Sequence, residues 1–176
     1  ALGPGLGQVP SARAFIKAAG DASLVRDLDP KAPDLEGYLF PETYSLPRRA
    51  DAERVVAMMV ERFRASYDET LRAQAEAQQM TTRQVVALAS LVEKETARAD
   101  ERPLVAAVYR NRLKQGMGMQ ADPTVVYALT KAGKYDGNIR REDLSFNSPY
   151  NTYRYPGLPP GPIAAPGRAS LEAALA

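Results

Sequence analysis

Apolar side chains recur every three to four residues through the middle of the chain, the spacing that builds one face of an α-helix. Val56, Met59, Val60, Phe63, Tyr67 and Leu71 mark one long helix over roughly 51 to 79, with Asp51 as its N-cap and a polar, solvated tail at "RAQAEAQQ". Thr81 stands three residues before Gln84, a capping-box pattern, and Val85, Leu88, Ala89 and Val92 form the stripe of the helix that follows. "DERPLVAAVYRNRLKQG" predicts another helix, with Asp100 as cap, Pro103 in the first turn and Gly116 as stop. "DPTVVYALTKAG" predicts a further one, with Asp122 as N-cap, Pro123 at its first position and Gly133 at its end.

Outside this region the pattern weakens. "SARAFIKAAG" is a short helix between Ser11 and Gly20, and "LEGYLFPETYSLP" is turn-rich. "MGMQA" alternates over a span that suits a short strand or hairpin near 117 to 121. From 134 to 168 the chain is loop-rich, with six prolines in "NSPYNTYRYPGLPPGPIAAPG". The elements predict a mainly helical α+β fold. Residues 1–34 form a helical and loop segment leading into one domain over 35–176, and "SLEAALA" reads as a helix cut short.

Composition narrows the chemistry. The chain has 176 residues, enough for one domain with a real core. It has no His and no Cys, which excludes Ser-His-Asp and Cys-His catalysis, disulfides and zinc sites built on those ligands. A net charge of +2 without a dense basic block gives no reason to expect a nucleic-acid partner. No apolar run approaches the ~20 residues of a membrane-spanning helix.

Acidic residues therefore carry the interest. Glu93 and Glu95 end the helix that begins at Thr81. Two residues apart on a helix means about 200° apart, so they lie on opposite flanks of the apolar stripe. Solvated helix-end charges are the plain reading. A carboxyl partly buried beside apolar side chains, kept protonated and able to act as a general acid, is the sharper one. Periodicity leaves open which Glu that is. Gln120, Asp122 and Thr124 can line a groove, although capping also accounts for Asp122. Asn111 and Arg112 lie in a helix within reach of neighbouring loops. Tyr150, Asn151, Thr152 and Tyr153 combine ring faces for sugars with groups that bond hydroxyl and acetamido oxygens, and they serve equally as packing anchors.

In order along the chain, "LEGYLFPETY", "ASLVEKET", the Glu101–Arg102 pair, "NRL", "GMGMQADPTVVY", "SPYNTY" and "GLPPGPIAAPG" resemble the YceG-like family, the endolytic murein transglycosylases of bacteria. The resemblance runs from about residue 35 to the end. It implies a lysozyme-like catalytic domain of a cell-envelope enzyme, working outside the cytoplasm on peptidoglycan strands, beside peptidoglycan synthases and without a cofactor or metal. It also implies an inner-membrane anchor, a LysM-like region and a C-terminal continuation, all beyond this chain. The family's catalytic acid, the second Glu of "EKET", falls on Glu95. Gln120, Asp122, Thr124, Tyr150, Asn151 and Tyr153 become candidate glycan contacts or cleft supports. Glu93, Glu101, Arg102 and Asn111 become supporting residues, with Glu101 orienting the site or pairing with Arg102. Two rivals stand beside this reading. A muramidase would need a second carboxylate, from Asp122 or Glu42; a glycan-binding module would need no catalytic acid.

Overall fold

The computed structural model describes residues 10–47 and 49–176, so the first nine residues of the predicted N-terminal segment lie outside it. Among the described residues seven α-helices follow one another: α1 (Ala12–Ala19), α2 (Ala52–Ser66), α3 (Glu69–Ala77), α4 (Thr82–Glu95), α5 (Arg102–Lys114), α6 (Asp122–Lys131) and α7 (Arg168–Leu175). The caps read from the sequence hold α1, α2 and α4 in place. Ser11 accepts the Ala14 N–H, Asp51 accepts the Arg54 N–H, and Thr81 and Gln84 close a reciprocal capping box. Gly116 and Gly133 both take the left-handed conformation just past α5 and α6. No helix among the described residues is long and apolar enough to cross a membrane.

α4 is the centre of the molecule. Every residue from Val85 to Val92 is buried, so the predicted one-sided stripe is in fact an apolar surface all round. α7, α5, α6 and α3 pack against it, while α1 packs on α2. Burial of a side chain such as Leu88 or Leu91 contributes roughly 1.5–3 kcal/mol, and both are fully inaccessible to solvent. The C-terminal "SLEAALA" is part of this core: Leu171, Ala173, Ala174 and Leu175 are buried in α7.

Four expectations need correcting. The helix predicted over 51–79 is two helices, because Tyr67 leaves the helical region (φ −93°, ψ 65°) and Asp68 starts α3 by accepting the Leu71 N–H. Asp100 does not cap α5; its carboxylate turns to Arg98 at 2.7 Å. Asp122 does not cap α6 but is its first residue. In both helices the proline is the second residue, which removes an N–H that a cap side chain would otherwise take. Finally, "MGMQA" is no strand or hairpin, and the described residues contain no named strand. Gly116 turns the chain so that the Met117 N–H returns to the Arg112 carbonyl, and only one isolated parallel bridge forms, Gly118 to Gly157. The alternation of buried Met119 with exposed Met117 records that turn.

Two junctions fix the loops to α4. Gly37 has φ +86°, and a Cβ there would stand 2.3 Å from Pro162 Cγ and 2.9 Å from Val86 Cγ1. The "LEGYLF" segment and the proline-rich loop therefore close on α4 through a position that admits no side chain. At the other junction Glu93 points inward. Its Oε2 accepts the Ser170 hydroxyl at 2.7 Å and the Gly167 N–H at 3.0 Å, and its Oε1 pairs with Arg102 Nη2 at 3.2 Å. One carboxylate thus joins the last turn of α4 to the first turns of α5 and α7.

Gly37→Ala is expected to lower stability by about 2–4 kcal/mol, from overpacking and a strained φ together. Gly133→Ala, with φ +66° but open space around it, is expected to lose only about 1 kcal/mol. Urea midpoints for the two variants check the contrast, and similar values would remove the close-approach argument. Glu93→Ala leaves Arg102 largely buried without its partner, and is expected to lose about 3 kcal/mol in the same measurement. A loss below about 0.5 kcal/mol would mean that the junction behaves as an ordinary surface pair.

Candidate active site

Glu95 is the last residue of α4, and the chain leaves the helix at Thr96 in an extended conformation. A strap holds this exit. The Thr96 hydroxyl donates to Glu101 Oε2 at 2.7 Å and accepts the Arg98 N–H at 3.1 Å, while Arg98 pairs with Glu101 at 3.2 Å. Glu101 thus orients the end of the helix through Thr96. It does not pair with Arg102, because Arg102 is turned into the interior toward Glu93.

The Glu95 carboxyl opens onto a pocket of about 210 Å³. Val105, Val108, Tyr109 and Arg112 line it from α5, with Met119 and Gln120 opposite. Tyr109 is buried, and its hydroxyl donates to Glu95 Oε2 at 2.8 Å. Burial, then the hydrogen bond and charge of Glu95, push the Tyr109 phenol well above its ordinary value. It remains a donor throughout the neutral range and fixes the carboxyl's orientation. Among the described residues no other group bonds to Glu95, which is exposed to solvent.

The partly buried carboxyl of the sharper reading is therefore not the one that the family resemblance names as the acid. Glu93 is the half-buried one, and three donors from α5 and the start of α7 engage its two oxygens. Glu95 is wet and has one partner.

The 117–124 turn is held to the 150–157 loop by a pair of threonines. Thr124 and Thr152 hydroxyls lie 2.9 Å apart, the Ala121 N–H donates to Thr152 Oγ1, and the Gln120 N–H donates to the Thr152 carbonyl. Thr124 is fully buried, so it supports the cleft and is not open to a ligand. The same holds for Asn151, whose amide donates to the Leu144 and Phe146 carbonyls while its oxygen accepts the Tyr153 N–H. This locks the loop that presents Tyr153. The Tyr153 hydroxyl donates to Asp122 Oδ1 at 2.5 Å. That bond first, then burial and the charges of Asp122 and Glu95, push its phenol up to about 12. Gln120 is exposed beside Glu95, with φ +51°, a left-handed conformation uncommon for a residue with a Cβ.

Structure thus brings Glu95 and Gln120 to one pocket, and the Tyr153–Asp122 pair lies outside its lining but close enough for the Glu95 charge to act on the Tyr153 phenol. Tyr150 lies elsewhere, with its ring 4.8 Å from that of Tyr127 toward the other end of α6, and Asn111 is exposed on α5. Glu42 is held by Arg62 through both oxygens and does not line the pocket. Tyr109 and the apolar wall were missed from the sequence, although Val105, Val108, Tyr109 and Arg112 have the i, i+3, i+4, i+7 spacing of one helix face. Arg112 reaches the Met119 carbonyl and pins the turn that carries Gln120.

Comparisons with known proteins agree with the motifs. Residues 8–176 match the model of the YceG-like family. The chain is 42% identical over 142 residues to an endolytic murein transglycosylase of Bacillus subtilis (strain 168), covering 80% of this chain and 38% of that protein. It is 35% identical over 149 residues to one of Streptococcus pneumoniae serotype 2, covering 80% of this chain and 26% of that protein. The chain therefore spans well under half the length of these relatives. A crystal structure of a YceG-like protein from Listeria monocytogenes superposes with a TM-score of 0.81 at 34% identity, over 94% of this chain and 57% of that one. The chain belongs to the YceG-like family.

Proposed function

We propose that this chain is the catalytic part of an endolytic murein transglycosylase, acting on peptidoglycan glycan strands in the bacterial cell envelope. The observation that carries this reading is the pocket with a single carboxyl in its lining, Glu95, oriented by a phenol that stays protonated. One acid/base group suffices for the reaction. Glu95 protonates the glycosidic oxygen between N-acetylmuramic acid and N-acetylglucosamine as the bond to the anomeric carbon breaks. The resulting carboxylate takes the proton of the muramic C6 hydroxyl, whose oxygen bonds to that carbon. The product is a 1,6-anhydro end, the proton returns to Glu95, and no water is consumed.

The free protein leaves Glu95 in water. A glycan lying over Val105, Val108 and Met119 would remove that water and supply the desolvation that a general acid needs. Gln120 is the best placed candidate contact, since a strained backbone beside a reactive group is where binding roles concentrate. Asp122 and Tyr153 are candidate contacts beyond the pocket lining. Within the same proposal the membrane anchor and the association with murein synthases belong to the whole-length protein.

Glu95→Gln is expected to fold normally and to lose at least about 100-fold in cleavage rate. The check is mass analysis of new ends after incubation with peptidoglycan. Anhydro ends made by the wild type and absent from the variant support the proposal. Reducing ends would instead make the enzyme a muramidase, and no cleavage by a whole-length protein would leave a binding module. Gln120→Gly relieves the left-handed strain while removing the side chain. Its unfolding midpoint is expected to stay equal or rise, by up to about 1 kcal/mol, while cleavage falls about tenfold. Undiminished cleavage in this variant would remove Gln120 from the glycan site.

A further inference from the structure

A second cluster lies at the opposite end of α6 from Asp122, about 15 Å along the helix. Lys131 Nζ stands 5.4 Å from the ring centroids of both Tyr127 and Tyr150, so the ammonium rests across two aromatic faces. Asp34 and Glu36 belong to the same patch. Asp34 accepts the Glu36 N–H at 2.9 Å, and the Glu36 charge acts on both Tyr127 and Lys131. Burial and the neighbouring Asp34 raise the Glu36 carboxyl, with Lys131 opposing them. Yet among the described residues neither Lys131, Asp34 nor Glu36 enters an ion pair within 4.0 Å. Beside the two acids opens a pocket of about 430 Å³, with Phe15, Ile16, Leu39 and Ala165 as apolar lining.

These charges are close enough to act on one another and too far apart to pair. A ligand that carries an ammonium and a carboxylate at a separation of several bonds would neutralise both ends at once. A bare sugar has neither group. Murein strands, the substrate in the function proposed above, bear short peptides with free amines, carboxylates and alanine methyl groups. We infer that this patch is a peptide-binding subsite: Lys131 takes a carboxylate of a murein peptide branch, Asp34 and Glu36 take its ammonium, and the pocket takes its small apolar side chains. The inference rests on that functional reading for the identity of the ligand. α6 and the Tyr150–Tyr153 loop each carry residues of both regions, Asp122 and Tyr153 toward the Glu95 end and Lys131 and Tyr150 in the patch.

The test is calorimetric titration of the chain with a tetrapeptide of alanine, glutamate, lysine and alanine, free at the lysine amine and the C-terminus. The same peptide, acetylated on its amines and amidated at its C-terminus, is the comparison. The free peptide is expected to bind at least about tenfold more tightly than the blocked one, and Lys131→Ala and Glu36→Gln each to weaken it by about three- to tenfold. Lys131 is exposed and Glu36→Gln keeps the side chain's size, and unchanged circular dichroism is the folding check. Equal affinity for the two peptides, unaltered affinity in both variants, or no binding at about millimolar peptide would overturn the inference. Because binding is read without turnover, the outcome is separate from the cleavage assay. Cleavage with no peptide binding sinks the subsite alone, while peptide binding with no cleavage sinks the activity alone.

Discussion

The complete burial of α4 between Val85 and Val92 constrains everything else. A helix enclosed on every side can meet water only at its ends, so its charged residues fall in the first turn, at Arg83, and in the last, at Glu93, Lys94 and Glu95. There the 100° step of the helix sends Glu93 and Glu95 in opposite directions. One must enter the protein and the other must leave it. The inward carboxylate is tolerated because Arg102, Ser170 and the Gly167 N–H surround it. An ionised group taken out of water needs compensation of this kind. Anchoring Glu93 ties the last turn of α4 to α5 and α7, and the outward Glu95 takes its orientation from Tyr109 on α5.

Much of this was legible in the sequence, and the parts that were not share a cause. Helices with a cap residue and a regular apolar spacing were readable because both signals are local. The break at Tyr67 was not, since the apolar spacing continues straight through it from Phe63 to Leu71. Asp68 ends the helix by its own capping, a signal that the periodicity masked. The two shifted caps at Asp100 and Asp122 had a readable reason, a proline at the second helical position, but their carboxylates went to partners, Arg98 and Tyr153. Tyr153 is 31 residues away from Asp122. Contacts of that range leave no local trace. Opposite flanks for Glu93 and Glu95 followed from helix geometry, but which flank faced the protein depended on α7, whose docking no local pattern specifies.

Candidate site residues divide along the same line. Thr124, Thr152 and Asn151 are small polar residues that look like ligand groups in a sequence, yet they are buried and their bonds go to the backbone and to one another. Such residues join one irregular segment to another where no strand exists to do so. The 117–124 turn has only the Gly118–Gly157 bridge as regular pairing, and the threonine pair replaces the missing ladder. That in turn explains how Gln120 is held at a positive φ: its own N–H is fixed to the Thr152 carbonyl.

Two tyrosine–carboxylate pairs lie close enough for their charges to interact, and their difference bears on the proposed reaction. Tyr109 donates to Glu95 from a buried position on α5, whereas Tyr153 donates to Asp122 from a half-buried loop. Asp122 stands at the first turn of α6, where the helix end favours a negative charge. A fixed anion there can stabilise positive charge developing at an anomeric carbon, and its engagement by Tyr153 keeps one oxygen from activating water. In the proposed reaction Glu95 has already given up its proton and is the base at hand, so attack by the substrate's own C6 hydroxyl needs no proton transfer to Asp122.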